Sequence, residues 1–567
     1  MLPMASFVWA LLISQVSAAQ MPLIFGPAGP VNSLKSPFLM SEWNLDEPPN
    51  ANATGNLIFE TVGSLLQRWP NTRMRNGHTV VPGTIPTGTL LYHGTHSNQL
   101  PVGPEWTATD PEHSTIFCRG PTREECWHAT LATTRSLRIV YFDGSSAAKT
   151  EYGTMDTQDL IAWGEIRPEW VYNEKERIED LCKWAEDHGV DGFVRMEMDF
   201  EVMLCSLTAG LRVVTFSNIA NSWPSRRSFP KIPADSSTIL LHAYEVVNAG
   251  SWHNRFPGEM RVHLDLQDLV SFYDTDLIPS LVPFRAGQQR WDHRVQNISD
   301  TDILAARARL TDALNRPENQ SSGVDWMSLI RVIVDRHAQR LELIQYLLNS
   351  TATDPADILD IARKTQTQLR VMLSPYILYT ATPSTGADWA VPVFKLCATT
   401  HTSSIEINKS FMTPSEQLLL RSIQETTREI CRVTTKMWAS GVVTGVDDYL
   451  EQKESPDIAK VSALLENWRE AVNALMEWLD WSVWVKCKPS CGFEEMCYLP
   501  TWPIGFPPPS RAPRTPHPRD IVAKSLSLIR ENTRKIRQEK ERGADPGTDD
   551  WLRPQPKCIR RVAPYGF

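Results

Sequence analysis

The spacing of apolar residues changes along the chain, and each pattern predicts a different kind of element. From residue 84 to about 220, short apolar runs such as GTLLYHG and SLRIVYFDG alternate with Gly, Asp and Pro, which indicates β-strands. After about residue 225, apolar residues recur every three or four positions, which predicts amphipathic helices. These helices are expected at 301–315, 324–349, 355–373, 414–440 and 458–486. The predicted fold class is therefore α+β.

Two helix boundaries carry specific signals. The segment NEKERIEDLCKWAEDHG has an apolar stripe and ends at Gly189, a residue type that tolerates a left-handed helix cap. A strand is expected directly after it. Thr413, Pro414 and Glu416 form a capping-box start with proline at the first helical position.

A chain of 567 residues exceeds what one hydrophobic core usually organises, so we expect several parts. A mixed α/β domain with a central sheet is predicted at 81–225 and a mainly α-helical domain at 296–500. The remaining segments are an export signal (1–19), a lead-in arm with one helix (20–80), a connecting segment (226–295), a proline-rich linker (501–518) and a basic amphipathic helix with a tail (519–567).

The export signal, MLPMASFVWALLISQVSAA, has a short apolar core followed by small residues. It predicts a secreted, extracellular protein, although a retained anchor is the alternative because no Lys or Arg precedes the apolar run. Glycosylation sequons support export, and they occur at Asn52, Asn297, Asn319, Asn349 and Asn408.

All 10 cysteines lie in the exported part, where an even number usually forms disulfide bonds. Proximity in sequence suggests three pairs, with the last four cysteines pairing among themselves. The alternative is a zinc site at Cys487, Cys491 and Cys497, but no CxxC pair or nearby His supports it. The suggested pairs are Cys118 with Cys126, Cys182 with Cys205, and Cys397 with Cys431, leaving Cys487, Cys491, Cys497 and Cys558.

The net charge and the hydropathy of the chain limit the kinds of partner that it is expected to bind. The net charge is −9 with both signs interspersed, which disfavours nucleic acid because phosphate binding needs a basic surface. Past the export signal no segment approaches the roughly 20 apolar residues of a membrane helix. The 20 tryptophans indicate either buried aromatic cores or a sugar-stacking surface, and the first interpretation is favoured.

Three segments carry candidate chemistry. A strand ends in Tyr92-His93-Gly94-Thr95, and the glycine lets the backbone approach a ligand while the imidazole donates a hydrogen bond. The second segment, EWTATDPEHS, runs from Glu105 to Ser114, and a helix should begin near its Asp-Pro. The third, DGFVRMEMDFEVML, contains Glu197 and Glu201, whose spacing places both side chains on one face if a single strand spans them.

At these three places the chain resembles the ADP-ribosyltransferase superfamily, in particular its branch with a His-Tyr-Glu triad. The resemblance covers about a quarter of the chain and implies an ADP-ribosyltransferase-like fold for the α/β domain. It implies that His93 holds the adenosine-side ribose of NAD and that Glu201 is catalytic, with Glu197 as the alternative. Trp106 stands where the branch has Tyr, so it can stack on nicotinamide but cannot supply a phenol hydrogen bond.

The chemistry of such a site follows from charge. Cleaving the bond between nicotinamide and ribose builds positive charge on the sugar, and a carboxylate beside the ribose stabilises that charge. Thr95 and Thr107 would add hydroxyl hydrogen bonds, and Gly94 would allow the close approach. The substitution Glu201→Gln is then expected to abolish activity while leaving the melting temperature nearly unchanged.

The function expected from the resemblance is NAD cleavage, with ADP-ribose passed to a protein acceptor or to water. NAD would be a substrate, and no metal cofactor is expected because no HExxH motif occurs. The first alternative is a non-catalytic, disulfide-rich binding protein on a degenerate ADP-ribosyltransferase-like fold. The second is an extracellular polysaccharide hydrolase that uses tryptophans as sugar platforms.

Overall fold

The computed structural model describes residues 43–565, except for 119–124, 151, 197, 221–243, 318–319, 352, 379–382, 384–385, 450–455, 502–552 and 564. The export signal, Asn319, Glu197, nearly all of the proline-rich linker and the basic helix predicted after it lie outside the described residues. Within the described residues the fold is α+β, as the apolar spacing predicts.

One curled sheet of 10 strands forms the centre of the N-terminal half. Its order is β10-β1-β5-β6-β7-β3-β2-β4-β8, with β9 also paired to β1. The pairing of β5 with β6 is parallel, and the helical crossover between them lies against the sheet. The strands are β1 (Thr79–Ile85), β2 (Leu90–Thr95), β3 (Glu105–Ala108), β4 (Trp127–Thr133), β5 (Leu137–Phe142), β6 (Gly192–Met196), β7 (Phe200–Leu204), β8 (Leu211–Asn218), β9 (His263–Leu264) and β10 (Val270–Ser271).

Long helices make up most of the C-terminal half. Their apolar stripes pack together as the three- and four-residue spacing requires. In chain order the α-helices are α1 (Gly55–Ser64), α2 (Arg68–Thr72), α3 (Pro111–Ser114), α4 (Asp156–Trp163), α5 (Glu174–Glu186), α6 (Val282–Arg285), α7 (Asp300–Asn315), α8 (Trp326–Leu348), α9 (Pro355–Leu373), α10 (Val391–Thr399), α11 (Pro414–Thr444) and α12 (Ile458–Leu479). We call α1 together with α8 to α12 the helical bundle.

The two faces of the sheet belong to different cores. On one face, side chains such as Leu91, Leu131 and Val202 share a continuous core with the helical bundle. On the other face, Val140, Phe193 and their neighbours pack against α4, α5 and α7. We call these the bundle face and the crossover face of the sheet.

Several predicted boundaries agree with the structure. Helix α9 spans the predicted residues 355–373, and α11 begins with the complete capping box of Thr413 and Glu416. Gly189, after α5, has the predicted left-handed conformation with φ +62°. The strand expected after this helix is β6, which begins at Gly192.

The third motif differs from its prediction. Instead of one strand, the described residues of DGFVRMEMDFEVML form two antiparallel strands, β6 and β7, with a turn at 198–199 before β7. The expectation of a single strand is therefore wrong, and Glu201 lies in the second strand. The sequence contains no Gly or Pro at this turn to signal the break.

All ten cysteines are in disulfide bonds, and the pairs suggested by sequence proximity are those of the structure. The last four pair among themselves, as Cys487 with Cys497 and Cys491 with Cys558. The second of these bonds joins strand β12 (Lys557–Arg560) to the loop that precedes its partner strand β11 (Glu495–Tyr498). These sulfurs are bridged, so the alternative of a zinc site at these cysteines is excluded in the structure.

No helix among the described residues is long and apolar enough to cross a membrane.

Candidate functional site

The three candidate segments occupy neighbouring strands. β7, which carries Glu201, pairs with β3, and β3 pairs with β2, which carries His93. Tyr92 lies opposite Ala108, and Ala108 lies opposite Glu201. Segments that are distant in sequence therefore meet at the centre of the sheet.

His93 faces the helical bundle. It pairs with Ala129 of β4, a residue of the core on the bundle face, and paired residues of antiparallel strands share a face. Its Nδ1 lies 2.7 Å from the carbonyl oxygen of Trp106, so Nδ1–H donates to that oxygen. The other nitrogen, Nε2, is buried and has no hydrogen-bond partner among the described residues.

Trp106 and Glu201 face the other way. Trp106 pairs with Met203, and both pack on the crossover face. Glu201 lies two residues before Met203 on β7, and side chains alternate between faces along a strand, so its carboxylate points to that same face. The structure therefore brings Trp106 and Glu201 to one side of the sheet and His93 to the other.

The carboxylate of Glu201 is held in a buried ion pair. Arg195, its cross-strand neighbour, donates from Nε to Glu201 Oε2 at 2.7 Å, and both side chains are 1% exposed. Arg195 also donates to Glu174 of α5 and to Gln158 of α4. Burial opposes the charge of Arg195, but the two carboxylates outweigh it and raise the pKa of the guanidinium. Arg195, whose charge Glu201 and Glu174 balance, therefore ties the sheet to the crossover helices.

The remaining predicted residues have structural contacts. The Thr107 hydroxyl donates to the carbonyl of Val202, and Thr95 Oγ1 accepts from the backbone N–H of Ser97. A Cβ atom on Gly94 would lie 2.1 Å from the carbonyl oxygen of Ser114 in α3. Glycine is required at this position because α3 packs directly on the strand.

The resemblance predicts that the side chains of His93, Trp106 and Glu201 surround one NAD-binding site. In the structure these three side chains do not face a common site. The strands are adjacent, yet alternation along them separates His93 from Trp106 and Glu201. Sequence spacing could not show which face each side chain takes, because the register and the break between β6 and β7 decide it.

A second cluster of polar residues lies where β3 ends and β7 begins. Asp110 follows β3, Asp199 precedes β7, and His253 comes from the connecting segment; one ligand-type atom from each lies within 4.8 Å of the others. His253 Nε2 is 3.2 Å from Asp110 Oδ2 and 3.3 Å from Glu259 Oε2. Arg261 forms a two-pronged ion pair with Glu259. We call Asp110, Asp199, His253, Glu259 and Arg261 the acid–histidine cluster.

The charged groups of this cluster shift one another's pKa values. Burial raises the pKa of Asp199 well above its ordinary value, and the nearby Asp110 raises it further. Burial would also raise the pKa of Asp110, but hydrogen bonds with His253 and Asp199 and the charge of Arg261 lower it to about 2. Burial would lower the pKa of His253, but Asp110 and Glu259 raise it. The pKa values of the two aspartates are therefore shifted in opposite directions, as expected for two carboxyl groups that share a site.

The motifs of the sequence do not predict this cluster. Asp110 and Asp199 lie within the second and third motifs, but neither occupies a position that resembles the His-Tyr-Glu triad. His253 and Glu259 lie in a segment without a periodic pattern, so no local signal joined them to the sheet. Two acidic residues at strand ends next to candidate motifs were the signal available.

A cleft of about 490 Å³ lies on the helical half. Both apolar and cationic side chains line it, among them Phe256, Met327, Arg331 and Lys486. The guanidinium of Arg331 lies 5.0 Å from the ring centre of Phe256. The cleft is therefore amphipathic, and none of the predicted NAD-binding residues lines it.

Comparisons with known proteins identify relatives but no activity. Residues 119–237, which contain β4 to β8, match the YPL277C N-terminal domain family. Uncharacterized protein YOR389W of Saccharomyces cerevisiae is 23% identical over 542 residues, covering 80% of this chain and 82% of that protein. Uncharacterized protein YPL277C of the same yeast is 24% identical over 380 residues, covering 52% and 75% respectively. No solved structure matches the chain.

Proposed function

We propose that this chain is an exported, glycosylated binding protein whose ADP-ribosyltransferase-like sheet does not cleave NAD. The observation that carries the proposal is the buried ion pair of Glu201 with Arg195, on the opposite face of the sheet from His93. A carboxylate that neutralises a buried guanidinium is not free to stabilise charge on a ribose.

Export has independent support. Five disulfide bonds are typical of proteins that fold in an oxidising compartment. Each sequon asparagine that the structure describes is exposed to solvent, as glycan attachment requires. These are Asn52, Asn297, Asn349 and Asn408.

The binding surface is proposed on the helical half. The cleft of about 490 Å³ has the size and mixed lining of a ligand site, with the half-exposed ring of Phe256 at its wall. Within this proposal the sheet serves as a rigid support.

A second candidate, NAD cleavage, has two specific observations in its favour. The three segments that resemble ADP-ribosyltransferases form the adjacent strands β7, β3 and β2, and the buried Nε2 of His93 has no hydrogen-bond partner in the part of the chain that the structure describes. In this alternative a rearrangement of Arg195 would have to release Glu201.

One experiment separates the two candidates. Protein purified from the medium of a eukaryotic secretory host is incubated with NAD, and free nicotinamide is quantified by chromatography against a blank without protein. We expect release at the level of the blank. Nicotinamide release above the blank that disappears in His93→Gln would show that the protein cleaves NAD and would contradict the binding proposal. Asp360→Asn, which changes an exposed ion pair outside the sheet motifs, is the matched control.

A further inference from the structure

The acid–histidine cluster joins three separate segments at one end of the central strands β3 and β7. Asp110 is the residue directly before α3, Asp199 lies in the turn before β7, and His253 lies in a short helical turn at 250–254. One oxygen or nitrogen from each lies within 4.8 Å of the other two. The only other such group among the described residues consists of disulfide-bonded cysteines, so this is the one that remains free to bind.

One oxygen in the cluster, on Asp199, lies beside a second carboxyl group. Asp199 is fully buried, and its Oδ1 accepts a hydrogen bond from the backbone N–H of Phe200 at 2.8 Å. Among the described residues, no N–H or hydroxyl group donates to its buried Oδ2, and its neighbour in the cluster is the carboxyl group of Asp110. A buried carboxylate oxygen without a hydrogen-bond donor is costly, and here it lies beside a second carboxylate. A cation bound between the two would lower that cost, in addition to the charges of Arg68 and His253 that already act on Asp199.

The distances suit a cation. Metal ligands about 2.0–2.2 Å from one ion are themselves about 3 Å apart when they are neighbours in the coordination shell. His253 Nε2 is 3.2 Å from Asp110 Oδ2 and 3.3 Å from Glu259 Oε2. Arg261 holds Glu259 through both carboxylate oxygens, as an outer residue that orients a ligand does.

We propose that Asp110, Asp199 and His253 bind one divalent transition-metal ion, with Glu259 as a neighbouring ligand or outer support. One imidazole with carboxylates is a donor set that suits Zn²⁺ or Mn²⁺, whereas Ca²⁺ prefers six to eight oxygens. The side chains of Asp110 and Arg261 are 21% and 32% exposed, so the ion is reached from solvent on that side. This site is independent of the binding function proposed above.

Mn²⁺ binding provides the direct test. The full-length protein is stripped with a chelator, dialysed into metal-free buffer and titrated with MnCl2 while free Mn²⁺ is followed by electron paramagnetic resonance. We expect one equivalent to bind, with pulsed spectra showing coupling to an imidazole nitrogen, and ZnCl2 to compete. CaCl2 is expected to compete at least tenfold less well.

Variants locate the ion. Asp199→Asn keeps the shape of a protonated aspartate, so it should fold, and it is expected to weaken Mn²⁺ binding at least tenfold. His253→Gln should remove the nitrogen coupling, while Asp360→Asn should bind like the unmodified chain.

Unmodified chain that binds no Mn²⁺, or binds it without nitrogen coupling, would overturn the proposal. Equal affinity in Asp199→Asn would do so as well, provided that its melting temperature in chelator equals or exceeds that of the unmodified chain. If Asp199→Asn does not fold, Asp110→Asn at the more exposed position takes its place, with the same expected tenfold loss.

Discussion

Arg195 and Glu201 are single residues whose charges face each other in the interior of the protein. Their side chains are each 1% exposed, and Arg195 has a second carboxylate partner in Glu174. Removing one member of a buried ion pair costs far more than removing an exposed one, because the remaining charge stays desolvated. This contrast gives the sheet motif a stability role that can be measured.

The substitution Glu201→Gln is expected to destabilise the protein by about 2–4 kcal/mol, because the amide accepts a hydrogen bond but does not balance the charge of Arg195. Urea unfolding followed by far-UV circular dichroism measures the change. This expectation replaces the sequence-based one, in which the melting temperature stays nearly constant.

Asp360→Asn serves as the matched control. Asp360 pairs with Lys364 on the exposed surface of α9, where both side chains are more than half exposed. Such a pair contributes about 0.3–0.5 kcal/mol. Equal unfolding midpoints for Glu201→Gln and Asp360→Asn would contradict the structural role of Glu201.

At the scale of single residues, the sequence indicates which side chains carry charge, but it does not show which side chains they pair with in the folded protein. A glutamate in an apolar strand looks alike whether it meets a substrate or an arginine. The partner Arg195 lies on the preceding strand, and only the antiparallel register of β6 and β7 brings it opposite Glu201. The cysteines were easier, because short sequence separations made their pairing predictable.

At the scale of elements, the helices were the most predictable part. Their long apolar stripes correctly predicted that α9 begins at Pro355 and α11 at Pro414. The capping box at Thr413 is present, as predicted. Helix α10 was missed because its nine residues are too few for a clear periodic stripe. β1 was missed because Pro82 and Gly83 interrupt its apolar run, and β4 was missed because no Gly or Pro marks either of its ends.

Helix α11 offers a test of local sequence information. Thr413 Oγ1 accepts from the backbone N–H of Glu416 at 3.1 Å, and its hydroxyl donates to the carbonyl of Gln267 at 2.6 Å. Thr413→Ala removes both hydrogen bonds and should destabilise the protein by about 1–2 kcal/mol. Thr413→Ser keeps the hydroxyl and should restore most of that loss. Chemical unfolding of the three proteins checks the order, and an alanine variant as stable as the serine variant would contradict it.

At the scale of the whole molecule, the sequence suggested separate α/β and helical parts, and the structure joins them through one core. Helix α1, placed in the lead-in arm, packs within the helical bundle, and β9 and β10 from the connecting segment extend the sheet. The bundle face of the sheet shares its core with α8 to α12. Such long-range packing depends on which apolar faces meet, and periodicity shows only that a face exists.

This shared core predicts that the sheet and the helical bundle unfold together. Melting the bundle alone would expose the apolar bundle face of the sheet, including Leu91, to water, so neither part is stable without the other. We expect one calorimetric transition, coincident by far-UV circular dichroism and tryptophan fluorescence. Leu91→Ala in the sheet and Leu369→Ala in the bundle should each shift that single transition to lower temperature. Each substitution should lower the free energy of unfolding by about 2–5 kcal/mol. Two resolved transitions, with each variant shifting only its own, would mean that the parts fold independently and that their contact adds little to stability.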